Sequence, residues 1–290
     1  MHPEIKAFFD PSTHSLSYVL RDPSSTACAI IDPVLDYEPH SARILTDSAR
    51  GIAEYLRDEG LTVHWILETH AHADHLSAAQ WLRRELGGRV GIGEHICKVQ
   101  ASFAALYGLG PEFRTDGSQF DHLFADNEEF RIGNLPVRVL HTPGHTPACV
   151  SYVAGDAVFV GDTLFMPDYG TARADFPGGD PGQLYRSIRR LLDMPTRTRL
   201  MMCHDYRPGG RELRWESTVG DQRANNAWVR DGVTEEQFVE RRRLRDRDLA
   251  VPDLILPSLQ INIRAGHLPE AAENGIHYLK IPLNQLGHVR

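Results

Sequence analysis

Six consecutive positions, His70-Ala71-His72-Ala73-Asp74-His75, carry three imidazoles and one carboxylate. Packing seldom selects such density, and three protonated imidazoles side by side would repel one another. A metal ion removes the conflict, because it needs each ring neutral and gives each a bond. The plain alternative is a solvated polar loop. It fits poorly, since the cluster lies between the apolar run 63–67 and the apolar segment 76–86, with no low-complexity character around it. The elements on either side must hold the cluster in one shape, and that requirement limits the folds open to the chain.

Residues 16–20 and 27–31 read as strands joined by Asp22-Pro23-Ser24-Ser25, which predicts a hairpin. Residues 41–58 place Ile44, Leu45, Ala49, Ile52 and Leu56 at helical spacing. The run 63–67 has strand character, and 76–86 reads as a helix stopped by Gly87-Gly88. Periodicity over 101–125 is weak and suggests helix and loop. Val137 and Val139 alternate with Arg138 and Leu140 in a strand ending near His141. Residues 149–153 and 157–160 read as a second hairpin, and 200–203 as a further strand. Candidate ligands follow four of these strands closely: His70, His145, Asp162 and His204. Strand ends fix backbone positions, and the loops beyond them are free to carry chemistry. A sheet scaffold that gathers ligands along one edge is the economical expectation.

At 290 residues the chain can form one domain of two packed sheets or two modest domains. The expectation is a single domain over 1–290, with a core at about 10–210. Residues 211–290 would form a helical and extended C-terminal subdomain packed on it. A net charge of −8 argues against a polyanion binder. Arg241-Arg242-Arg243 and Arg245 follow a capping-box pattern, Thr234-Glu235-Glu236-Gln237. Because Glu235, Glu236, Glu240, Asp246 and Asp248 interleave with the arginines, the run reads as a solvated helix face. Residues 254–256 and 261–263 suggest a last buried segment. Cys28, Cys97, Cys149 and Cys203 form no C-x-x-C pair, so neither a zinc knot nor a disulfide framework is indicated. Residues 1–10 lack a signal-peptide pattern and no apolar run has the length of a membrane span. A cytoplasmic protein without nucleic-acid or membrane partners is expected, its oligomeric state open and a homodimer allowed.

Seven residues form the candidate constellation: His70, His72, Asp74, His75, His145, Asp162 and His204. Two metals bridged by Asp162 would generate a hydroxide nucleophile, which is hydrolase chemistry. One metal on two histidines and a carboxylate would leave positions open for substrate and dioxygen, as in non-haem Fe(II) oxygenases. Spacing leaves both open.

This set, in this order over roughly residues 10–210, resembles the metallo-β-lactamase superfamily. The resemblance implies an α/β fold, an αββα sandwich with a C-terminal extension and the metal site at one edge of the two sheets. Gly161-Asp162-Thr163-Leu164-Phe165, Tyr169-Gly170-Thr171-Ala172-Arg173-Ala174-Asp175-Phe176 and His204-Asp205-Tyr206 resemble the bacterial persulfide dioxygenases (sulfur dioxygenases) within it. So do the tail segments Arg230-Asp231-Gly232-Val233, Leu256-Pro257-Ser258 and Arg264-Ala265-Gly266-His267-Leu268-Pro269. That branch implies oxidation of glutathione persulfide by O2 to sulfite and glutathione, in sulfide detoxification. It implies one Fe(II) per chain on His70, His145 and Asp162. His72, Asp74, His75 and His204 would then orient water and substrate, or mark a second metal position. Relatives often carry a cysteine in the loop after Asp162, where residues 169–176 here have none. Arg173 is a candidate carboxylate contact or a partner of Asp175, and Tyr206 a substrate contact or a packed ring. Strand alternation would turn Cys203 away from the site. Two other readings compete: a glyoxalase II-like dinuclear glutathione thioester hydrolase, and a non-catalytic persulfide-binding or sensing module.

Overall fold

The structure, a computed structural model, describes residues 2–286. Two six-stranded sheets stack face to face with helices on both outer faces. The first sheet runs Glu4–Asp10, Ser15–Arg21, Ala27–Ile31, Thr62–Leu67, Arg89–Gly93 and His122–Phe124, edge to edge. Its first three strands pair antiparallel, and the later neighbours are parallel. The second sheet runs Glu129–Ile132, Leu135–His141, Val150–Ala154, Ala157–Phe159, Arg199–Met201 and Glu216–Thr218. It is antiparallel except where Ala157–Phe159 meets Arg199–Met201.

The strand Ser15–Arg21 shows why the layers stack. Leu16, Tyr18 and Leu20 face the second sheet, opposite Val137, Val139, Tyr152 and Phe159. Val19 points the other way, into a layer with the helices Asp47–Asp58, Ala79–Leu86, Ile96–Leu106 and Ile255–Asn262. The two-residue period thus loads both faces, and each fully buried large side chain contributes about 1.5–3 kcal/mol. On the far side, Leu184, Ile188, Leu191, Val219 and Phe238 cover Val158, Val160 and Leu200. They come from the helices Pro181–Leu192, Val219–Asn225 and Glu235–Asp246. This is the expected αββα sandwich.

Strand direction collects the site. Leu135–His141 is separated from Ala157–Phe159 by one antiparallel neighbour, so the two point the same way, and Arg199–Met201 is parallel to the second. In the other sheet Ala27–Ile31 and Thr62–Leu67 are parallel. His145, Asp162 and His204 therefore leave one end of the second sheet, and Asp32 and His70 leave one end of the first.

The segment after residue 210 does not stay on one side. Glu216–Thr218 becomes an edge strand of the second sheet, Glu235–Asp246 packs against Pro181–Leu192, and Ile255–Asn262 packs on the first sheet. Thr234 and Gln237 form the capping box read from sequence, and 254–263 is the buried segment, as a helix.

Several boundaries differ from expectation. The first helix starts at Asp47, not 41, because Arg43–Ile44 pairs as a short strand and Ile44 and Leu45 stay exposed. Leu76–Ser77 is a short strand paired with Val34–Leu35, so the next helix begins at Ala79. The helix Pro181–Leu192 lies outside the expected elements although its signals are plain. Asp180 caps it by accepting from Gln183 N at 2.6 Å, proline sits in its first turn, and its buried residues recur at helical spacing.

Candidate metal centre

Beneath the histidine loop lies a buried carboxylate. Asp32, at φ +49° directly after its strand, accepts from Thr69 N at 2.7 Å, Thr69 Oγ1 at 2.9 Å and His72 Nε2 at 3.0 Å. It therefore fixes both the start of the loop and one ring. Glu68 Oε2 stands 3.5 Å from the same His72 nitrogen, while Oε1 accepts from Ser77 Oγ.

Each ring in the cluster has one nitrogen occupied by an oxygen. His70 Nδ1 meets Thr69 Oγ1 at 3.0 Å, His75 Nδ1 meets Leu76 O at 2.9 Å, and His145 Nδ1 meets Arg173 O at 2.9 Å. A carbonyl only accepts, so His75 and His145 carry their proton on Nδ1, which leaves Nε2 with a lone pair. His72 is reversed, with Nε2 on Asp32. The nitrogens left over, His70 Nε2, His72 Nδ1 and His75 Nε2, are buried and have no hydrogen-bond partner. An unsatisfied buried polar atom costs about 1–3 kcal/mol. A metal ion would satisfy these atoms, and the donor set suits one.

Six of the seven residues fall into two groups, each with all its ligand atoms within 4.8 Å of one another: His70, His145 and Asp162, and His72, Asp74 and His75; Asp162 also groups with Cys203 and His204, and His72 with Asp32 and Glu68. His204 stands between the first two groups, with Nε2 at 3.3 Å from Asp162 Oδ1 and 3.6 Å from Asp74 Oδ2. Its Nδ1 faces Ser15 Oγ at 3.4 Å, and Ser15 Oγ also bonds Asp74 Oδ2 at 3.1 Å. All seven residues singled out by sequence are thus brought together in a metal-binding cluster of His and Asp.

Electrostatics sort the rings. Burial pushes His70 well below its ordinary pKa, and His75 down to about 4. Burial opposes charge on His72 too, but Asp32 outweighs it and holds that ring well above its usual value. His204 is likewise raised against burial by acidic groups facing it, including Asp162 and Asp74. Burial pulls Asp162 up, yet His204, His70 and His145 together hold it well below the carboxylate range.

A cavity of about 510 Å³ opens over Asp74, His145, Asp162 and His204. Phe165, Tyr169, Phe176, Tyr206 and Trp228 form its aromatic wall. Tyr206 stacks on Tyr169 at 4.5 Å between centroids, and its hydroxyl makes no hydrogen bond among the described residues. Three arginines reach this cavity. Arg173 has all three of its guanidinium nitrogens engaged: Nε and Nη2 bond Asp175 at 2.6 and 2.8 Å, and Nη1 bonds Ala250 O at 2.5 Å. Of its two expected roles, the pairing with Asp175 is the one formed. Arg242 is buried, paired with Asp246 at 2.6 Å and stacked over Trp228 at 4.3 Å. Arg245 is exposed and has no ion pair or hydrogen bond from its side chain among the described residues. It is an unpaired cation at the rim and keeps the solvated face expected of the arginine run; that reading fails instead at Arg242, which is buried against Asp246 and Trp228.

Cys203 is buried as expected but does not turn away. Its Sγ lies within 4.8 Å of donor atoms of Asp162 and His204, and 3.7 Å from Asp32 Oδ2. Met201, two residues earlier, faces the inter-sheet core. Cys203 keeps that side, and the inter-sheet core runs up to the histidine loop. Asp32, Glu68 and Arg245 were not singled out by sequence: the partners of Asp32 lie 37 and 40 residues away, Glu68 directly precedes the loop but lacks a motif of its own, and Arg245 is one arginine in a charged run.

Residues 11–204 match the model of the metallo-beta-lactamase superfamily. The chain is 52% identical to a probable metallo-hydrolase of Burkholderia pseudomallei, with 97% of this chain and 99% of that protein covered. It is 46% identical to glyoxylase B2 of Dictyostelium discoideum, covering 98% of each. It is 28% identical to the human mitochondrial persulfide dioxygenase ETHE1, covering 90% of this chain and 88% of that one. Among solved structures, ETHE1 from Myxococcus xanthus aligns with a TM-score of 0.72 and 27% identity, over 91% of this chain and 100% of that one. With its fold, its clustered donors and these matches, the chain belongs to the metallo-beta-lactamase superfamily.

Proposed function

We propose that the protein is a persulfide dioxygenase that holds one Fe(II) on His70, His145 and Asp162. The reaction consumes glutathione persulfide, dioxygen and water and yields glutathione, sulfite and two protons. One observation carries the reading: two imidazoles and one carboxylate converge with their donor atoms within 4.8 Å, and the far nitrogens of both rings are already engaged. His70, His145 and Asp162 would hold Fe(II) by three donors and leave room for both substrates to bind it. The likeness to a persulfide dioxygenase over 90% of the chain supports this choice.

The chain's own residues would do the rest. A cavity of about 510 Å³ has room for a tripeptide-sized ligand. Its aromatic wall excludes water around the reacting sulfur. The free Arg245 guanidinium would receive a glutathione carboxylate, and the Tyr206 hydroxyl would donate a hydrogen bond to oxygen near the reacting sulfur. Asp74, held by Ser15, and His204 would keep solvent ordered beside Asp162.

A dinuclear thioester hydrolase is the second reading. It is favoured by the unpaired His75 Nε2 beside His72 and Asp74, and by relatives named metallo-hydrolase and glyoxylase. Metal analysis after anaerobic purification separates the two, together with His145→Ala. The dioxygenase reading predicts one iron per chain, lost with oxygen-consuming turnover in the variant. Two metals per chain, with hydrolysis of S-lactoylglutathione, would replace it.

A further inference from the structure

The histidine loop is not held by its own backbone. No N–H or C=O of residues 70–75 takes part in a backbone–backbone hydrogen bond among the described residues. Buried backbone groups need partners, and here one side chain supplies two, to the carbonyls of His72 and His75. Asn262 Nδ2 donates to the carbonyl oxygens of His72 and His75, each at 2.8 Å. Its Oδ1 accepts from Ser77 N, also at 2.8 Å. The amide is 4% exposed and has no other partner. It grips the chain on both sides of Asp74 and at the residue where the loop enters its next strand.

We propose that Asn262 is a positioning residue for the metal site, and that the C-terminal helix Ile255–Asn262 shapes the histidine loop. The residue lies outside the stretch 11–204 that carries the superfamily match. It stands about 190 positions from the loop it orders. The helix is rigidly placed: Ile255, Leu259 and Ile261 pack on the first sheet. Gln80 Nε2 bonds Ala265 O at 3.0 Å and Gln100 Nε2 bonds Ile263 O at 2.9 Å just beyond its end. The two bonds fix the peptide planes that follow His72 and His75, and these bracket Asp74. The amide thereby sets where one group of donors points without touching a metal. The inference rests on the loop binding a metal ion, directly through His72, Asp74 and His75 if two metals are held, and through His70 on the same loop if one iron is held.

The test uses the whole protein with Co(II) as the probe, read by its visible spectrum and by competition with a chelator. Asn262→Ala removes all three bonds. Asn262→Asp keeps the side-chain volume and the bond from Ser77, but sets a carboxylate against two carbonyls. Outer partners of metal ligands typically change affinity 10–100-fold. Both variants should bind Co(II) at least about tenfold more weakly, with a changed spectrum. Gln80→Ala is the control, since it loosens the same helix end and leaves the loop's bonds intact. It should lower the unfolding midpoint while affinity and spectrum stay those of the wild type. The proposal is overturned if Asn262→Asp or Asn262→Ala keeps wild-type affinity and spectrum. It is equally overturned if Gln80→Ala weakens Co(II) binding as much. Absence of Co(II) binding by the wild type would instead remove the metal-site reading itself.

Discussion

Removing the Arg211 guanidinium should cost far more than a surface arginine normally does. Asp205 separates His204 from Tyr206, and its side chain is fully buried. It accepts from Arg211 Nη1 and Nη2, each at 2.7 Å, and from the backbone N–H of Arg214 at 2.8 Å and of Arg207 at 3.2 Å. Arg211 also grips Asp168 through Nε at 2.5 Å and Nη2 at 2.9 Å. It thus ties the loop after His204 to the loop after Asp162, and the two carboxylates hold its own pKa above the usual value. Breaking a buried pair from one side costs about 3–5 kcal/mol, because an uncompensated charge stays behind. The two backbone donors remain, so about 3 kcal/mol is expected for Arg211→Ala. The half-exposed Asp168 arm adds at most a few tenths, about what a solvent-screened pair contributes. In a chain this long that loss lowers Tm by roughly 6–12 °C. Adding Asp205→Asn removes the stranded charge and should restore about half of the loss. Urea unfolding of the wild type, both single variants and the double variant gives the cycle. A loss below about 1 kcal/mol for Arg211→Ala, or a double variant no more stable than it, would refute the reasoning.

Gly144 adopts φ +139°, and a Cβ there would lie 2.2 Å from Leu184 N. Gly144→Ala should cost more than about 3 kcal/mol, because helix backbone cannot step aside, and its unfolding curve checks this. Arg245→Ala should raise KM for glutathione persulfide about three- to tenfold, as a partly screened charge contact would, with kcat within about twofold. An unchanged KM in the oxygen-electrode assay removes Arg245 from substrate binding. Burial pushes the Cys28 and Cys149 thiols up to about 12, and it raises Cys203 as well. At pH 8 they stay protonated and covered, so iodoacetamide should label native protein at Cys97 alone and all four cysteines after unfolding, as counted by mass spectrometry.

What short-range patterning encodes was readable. Apolar runs placed the strands that carry the site, and the donors His70, His145, Asp162 and His204 follow strands ending at Leu67, His141, Phe159 and Met201, whereas Glu4–Asp10, Arg89–Gly93, His122–Phe124, Glu129–Ile132 and Glu216–Thr218 were not read as strands. Local reading failed where partners are distant. Asp32 looks like an ordinary aspartate before a proline, and only the parallel neighbour Thr62–Leu67 brings Thr69 and His72 onto it. Asn262 reads as one polar residue in a buried segment until the helix docks beside the loop. Arg245 sits in a run of arginines with nothing in its own sequence to set it apart, and only the packing of Glu235–Asp246 turns it toward the cavity. Ile44 and Leu45 misled for the opposite reason: they keep helical spacing but bury little.

The central claim is that this site performs oxygen chemistry on a persulfide sulfur. Oxygen uptake by anaerobically purified protein supplied with glutathione persulfide tests it most directly. One O2 should be consumed for each sulfite formed, and His145→Ala should abolish the uptake. No oxygen uptake, from protein that hydrolyses S-lactoylglutathione with two metals bound, would contradict the claim.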